Sequence, residues 1–95
     1  MLTSKQRAIL RGMANTIEPI VHIGKDGISD ALIKQCDDAL TARELIKLSV
    51  LETAGAPARE FADKLAPQLK SDVVQVIGRK IVLYRRNKKE PKIKV

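Results

Sequence analysis

Ile20-Val21-His22-Ile23-Gly24-Lys25-Asp26-Gly27-Ile28-Ser29-Asp30 decides how this chain is read. A β-branched run stops at one glycine, a second glycine follows two residues later, and Ser29 then supplies a helix cap. The pattern is a strand, a G-x-x-G loop and a helix. Glycine has no Cβ, so a phosphate can approach such a loop closely, and the amides opening the next helix carry the positive end of its dipole. Lys25 adds a mobile cation beside them. Taken alone the motif is a weak signal, because Asp-Gly is also a common turn pair.

Working outward, residues 3 to 15 read as a helix capped by Thr3 or Ser4, with Lys5, Arg7 and Arg11 exposed. Pro19 forces Glu18 toward extended geometry, and the first strand spans residues 20–23. Ile28, Leu32, Cys36 and Leu40 recur at helical spacing and give a second helix to about Thr41, with Cys36 on its apolar stripe as an inert thiol. Residues 44–51 alternate as a second strand, with Ile46, Leu48 and Val50 on the apolar face. A third helix opens at Pro57, and Pro67 predicts an end or kink near residues 64–66. Residues 73–77 and 80–85 are β-rich runs around Gly78-Arg79, a tight hairpin. Beyond Arg86 no periodicity remains.

The order αβαβαββ requires parallel pairing of the first two strands across a helix and antiparallel pairing of the last two. The expected fold is therefore a two-layer α/β domain with a four-stranded mixed sheet over residues 1–86. Residues 87–95 are expected to form a basic, disordered tail.

The 95 residues suffice for one core. No apolar run is long enough to span a bilayer, and the polar start Leu2-Thr3-Ser4-Lys5-Gln6-Arg7 lacks the apolar region of a signal peptide, so a cytoplasmic protein is expected. One cysteine and one histidine supply neither an internal disulfide nor the usual zinc ligands. No nucleophile–base arrangement, G-K-[ST] or G-x-G-x-x-G is present, so no enzymatic activity, cofactor or small-molecule substrate is expected. The net charge of +7 is polarised: residues 1–28 carry +2, residues 29–72 carry −2, and residues 73–95 carry +7. Such polarity suits a polyanionic partner. Phe61 and Tyr84 are the only aromatic residues, which disfavours stacking of single-stranded bases and leaves cationic contact with phosphates.

Four stretches carry a resemblance. They are Leu2-Thr3-Ser4-Lys5-Gln6-Arg7, Gly24-Lys25-Asp26-Gly27, Glu44-Leu45-Ile46-Lys47, and Val74-Gln75-Val76-Ile77-Gly78-Arg79-Lys80-Ile81-Val82-Leu83-Tyr84-Arg85. From about Leu2 to Arg86 the chain resembles single-domain bacterial members of the CRM family (chloroplast RNA splicing and ribosome maturation, the YhbY-like proteins). The resemblance implies a fold similar to the C-terminal domain of translation initiation factor three. It also implies binding of ribosomal RNA within precursors of the large ribosomal subunit. The expected RNA-binding residues are Gly24, Lys25, Asp26 and Gly27, with Lys5, Arg7, Arg11, Arg79, Lys80, Arg85, Arg86, Lys88 and Lys89 around them, all on one continuous positive surface of a monomer. His22 is weighed as a satisfied sheet histidine against a contact to a phosphate or 2′-hydroxyl. Two rival readings are a protein-binding assembly adaptor docking through the acidic middle segment and an Alba-like DNA-binding protein.

Overall fold

The computed structural model describes residues 2–94; Met1 and Val95, at the ends of the expected domain and tail, lie outside the described residues. Helix α1 (Ser4–Ala14) begins with a capping box, in which the Thr3 hydroxyl accepts from the Gln6 amide while the Gln6 side chain accepts from the Thr3 amide. Strand β1 (Val21–Ile23) leads through the glycine loop into α2 (Asp30–Arg43), capped by the Ser29 hydroxyl on the Leu32 amide. Strand β2 (Leu45–Val50), a 3-10 turn (Glu52–Ala54), α3 (Ala58–Leu69), and the hairpin of β3 (Asp72–Ile77) and β4 (Lys80–Tyr84) complete the chain. Gly78 turns the hairpin at φ 56°, in the left-handed region that disfavours a side chain.

The sheet order is β1-β2-β4-β3, with β1 parallel to β2 and the other pairs antiparallel. The β1–β2 and β3–β4 pairings are the expected ones, and the β2–β4 pairing joins them. β4 lies in the centre because its Ile81 and Leu83 are apolar on one face and Val82 and Tyr84 on the other.

Side-chain alternation divides the core in two. Val21, Ile23, Ile46, Leu48, Val50, Ile81 and Leu83 point to one face, where α2 and α3 bury them with Leu32, Cys36, Phe61 and Leu65. Leu45, Val82 and Tyr84 point to the other and meet Leu10 and Ala14 of α1. Helices α2 and α3 form the helical layer of the expected two-layer domain, and α1 adds a partial cover on the opposite face. A bulge at Val73/Gln75 turns Val74 into that second cluster.

Helix α3 runs through Pro67 to Leu69, where an end or kink was expected near residues 64–66. Pro67 lies in the last turn, so the amide it lacks removes one bond only. The helix closes with a Schellman arrangement in which Lys70, at φ 51°, donates to the Pro67 carbonyl and Ser71 donates to that of Ala66. Cys36 is fully buried, and burial pushes its thiol up to about 11.

Leu48 is fully buried at the sheet centre. Leu48→Ala is expected to cost about 2–5 kcal/mol, measured as a lowered urea midpoint with an unchanged slope.

Candidate nucleic-acid interface

The strand register fixes what lies at each end of the sheet. Ile23 pairs with Val50, the Leu51 amide donates to the Ile23 carbonyl, and the Val50 amide donates to that of Arg79. The glycine loop, the 3-10 turn and the β3–β4 hairpin therefore share one end, the loop end. Gly24 to Gly27 form a turn closed by a 3.0 Å bond from the Gly27 amide to the Gly24 carbonyl, so that amide is already occupied. Gly27 sits at φ 60°, which explains the residue type there. Gly24 differs: its φ is not left-handed, and an added Cβ would meet only Leu51 and Thr53, at 3.7 Å. The fold itself therefore accommodates a side chain at Gly24. Lys25 and Asp26 are exposed at the tip, and Arg79 pairs with Glu52 at 3.0 Å.

Next to this end one sheet face is only partly covered, with His22 and Ile77 exposed and Lys47, Gln75 and Lys80 half-buried. His22, Ser49, Lys80 and Ile77 fall in one cross-strand row on the α1 side, with Lys47 and Gln75 flanking Val82 in the next. α1 covers Leu45, Val74, Val82 and Tyr84 and leaves His22 and Ile77 exposed. The Lys80 ammonium donates to Ser49 Oγ at 3.0 Å and crosses the row. Lys47 and His22 were legible as alternate strand positions, but only the position of α1 leaves His22 exposed and Lys47 half-buried.

The far end is organised by Glu44. It follows α2 at φ 65° and is fully buried, its backbone carbonyl accepting from the Arg85 amide. Its carboxylate accepts the amides of Asn87 at 2.6 Å and Ile93 at 2.8 Å, and that of Lys92 as well. Burial opposes its ionisation, yet the three amides and the Lys92 cation together hold it below the ordinary carboxylate range. Residues 87–94 have no helix or strand, in keeping with their lack of periodicity, but this buried acceptor ties them to the domain. Sequence offered no local signal for that role.

The tail so held forms one wall of a cleft of about 1190 Å³, closed otherwise by the start of α1, the α3–β3 joint and the end of β4. Lys70, Arg85, Arg86, Lys88 and Lys94 line it, against the carboxylate of Asp72 alone among the described residues. Tyr84 forms part of the lining, and burial, with the carboxylates of Glu44 and Asp72, pushes its phenol up, so it stays a protonated donor.

The cations expected on one surface thus fall into two groups. Lys25, Arg79 and Lys80 sit at the loop end, whereas Arg85, Arg86, Lys88 and Lys89 follow the opposite end of β4. The expectation of a single continuous positive surface is corrected by the antiparallel register, which carries β4 away from the loop. Four residue steps separate Lys80 from Tyr84, about 14 Å at the usual strand rise. Two of the arginines are engaged internally. Arg7 donates to the Val73 carbonyl beside the bulge. Arg85 joins α2, α3 and β4 through the Asp37 carboxylate (2.7 Å) and carbonyl, the Thr41 hydroxyl and the Leu69 carbonyl. Lys5, Arg11, Arg86, Lys88 and Lys89 are exposed and form no ion pair among the described residues. Lys70 and Lys94 were not singled out from sequence, because only the folded tail brings them beside Arg86.

Neighbouring arginines should behave differently. Arg85→Ala is expected to lower stability by about 1–3 kcal/mol, whereas Arg86→Ala leaves the thermal midpoint within about a degree, surface changes being near neutral. Paired calorimetric scans check this. Because the folded pKa of Glu44 is depressed, its charge stabilises the protein above the ordinary value of 4.5, and that contribution fades as pH falls through the folded value. The Tm gap between wild type and Glu44→Gln should accordingly be widest near neutrality and shrink in acid.

The model of the CRS1/YhbY (CRM) domain matches residues 2–85. Over 95 residues the chain is 43% identical to "Probable RNA-binding protein YqeI" of Bacillus subtilis, covering 100% of this chain and 99% of that protein. It is 31% identical over 84 residues to "RNA-binding protein" of Haemophilus influenzae, covering 88% and 85% of the two chains. The solution structure of the hypothetical protein SAV1595 from Staphylococcus aureus superposes with a TM-score of 0.81 at 43% identity, covering 100% of this chain and 99% of that one. With its β1–loop–α2 core, β3–β4 hairpin and glycine turn all inside the matched span, the chain belongs to the CRS1/YhbY (CRM) domain family.

Proposed function

We propose that this chain is an RNA-binding protein that docks structured ribosomal RNA on its loop end and acts on precursors of the large ribosomal subunit. It binds and carries out no reaction. Membership of the CRM family and the relatives named as RNA-binding proteins support RNA as the partner. The observation that carries the site is the partly covered sheet face beside the glycine turn. There Lys47 and Lys80 lie in adjacent cross-strand rows, Lys25 and Arg79 stand on the loops at the same end of the sheet, and none of these positions carries an aromatic ring. A surface of that kind meets the phosphates and 2′-hydroxyls of a folded RNA and does not grip splayed bases. Gly24, where the fold tolerates a side chain, keeps the tip low so that a backbone can approach Lys25. His22 stands in the same row, within the zone a 2′-hydroxyl would reach.

Binding of a structured ribosomal RNA fragment, followed by fluorescence anisotropy, should weaken with salt by about 0.7–0.9 log units per decade for each phosphate neutralised. Lys25→Ala with Arg79→Ala is expected to flatten that slope by about one to two phosphates and to leave the thermal midpoint unchanged. Duplex DNA should compete poorly. A slope near zero, or equal affinity for duplex DNA, would refute the proposal.

A further inference from the structure

The cleft at the far end has features that the loop end lacks. At the loop end two acids, Asp26 and Glu52, stand among the cations and Glu52 already pairs with Arg79, whereas in the cleft Asp72 stands against five cations. In the cleft, Lys70, Arg86, Lys88 and Lys94 have no carboxylate partner among the described residues, and the guanidinium of Arg85 is directed into the helices by its bonds to Asp37 and Leu69. Holding four unpaired cations around one cavity costs self-repulsion, and a concave wall concentrates their field. The arrangement is built, because the tail that supplies Lys88 and Lys94 is held by three amides on the buried Glu44 carboxylate. The lining is not uniformly charged: Leu2, Pro91, Ile93 and the Tyr84 ring give it apolar surface. Cations around an apolar floor match a nucleotide chain, whose phosphates meet the cations while a planar base lies on the apolar surface, better than an acidic peptide, which brings no planar base.

We infer that this chain has two separate RNA contacts at opposite ends of the sheet, and that the tail-walled cleft holds a second RNA segment while the loop end holds the first. The molecule is then a bridge. Its two sites lie beyond opposite ends of β4, so one chain clamps two RNA segments that lie near each other in a folded precursor. The inference rests on the RNA-binding reading above and adds the cleft, the second segment and the stoichiometry.

Titration of the full chain with a short RNA hairpin, too small to span both ends, decides it by counting sites in calorimetry. Wild type is expected to take up two hairpins per chain. Arg86→Glu with Lys88→Glu, at exposed positions and with a native thermal midpoint, should retain one. Lys25→Glu with Arg79→Glu should also retain one, and the combination of all four none. Uptake of one hairpin by wild type overturns the bridge and leaves RNA binding standing. Undiminished uptake of two by the cleft variant moves the second site elsewhere and overturns the assignment. Failure of wild type to bind any hairpin overturns both readings. A cleft that takes an acidic peptide instead of RNA shows itself as one hairpin per chain, with peptide binding abolished by Arg86→Glu and Lys88→Glu.

Discussion

A buried carboxylate with no side-chain partner of its own must be satisfied by backbone, and in this protein that constraint falls on Glu44. It stands where α2 ends, at the negative end of the helix dipole, which disfavours an anion. Only several donors converging on both oxygens can offset that position, and the tail supplies them from Asn87, Lys92 and Ile93. The same residue holds β4 through its carbonyl. Helix end, strand start, last strand and tail are thus fixed relative to one another by one side chain in a left-handed backbone conformation. Loss of that charge would be felt at every one of them.

The second organising fact is that the sheet is buried unequally on its two faces. Helices α2 and α3 cover one face fully, so β1, β2 and β4 present apolar residues there without interruption. The lone α1 covers the lower part of the other face and leaves the part next to the glycine turn open. Polar and charged residues at alternate positions of β1, β2 and β4 fall in that gap. In a fold of this kind residues one apart on a strand serve the core and the open surface in turn.

Charge follows the same division. Arg7 and Arg85 look like surface cations in sequence, yet each satisfies backbone carbonyls at a junction between elements. Arginine suits that use because its planar fork serves several acceptors at once. The remaining cations are left in two pools by the direction of β4, one beside the turn and one around the tail.

Sequence by itself determined the element order, the parallel pairing of β1 with β2, the antiparallel pairing of β3 with β4, the hairpin at Gly78, the capped starts of α1 and α2 and the inert Cys36. Each of these depends on local periodicity or on the chemistry of a few neighbours. It also placed the glycine turn and the family. What only the tertiary structure decided was contact between residues far apart in the chain: α1 lying across the second face, α3 continuing through Pro67, Glu44 capturing residues 87–93, and the cations falling at two ends. Periodicity reports which face of an element is apolar, but not which remote partner meets it. A polar tail carries no periodic signal, because its order comes from amides found by a single buried acceptor more than forty residues earlier.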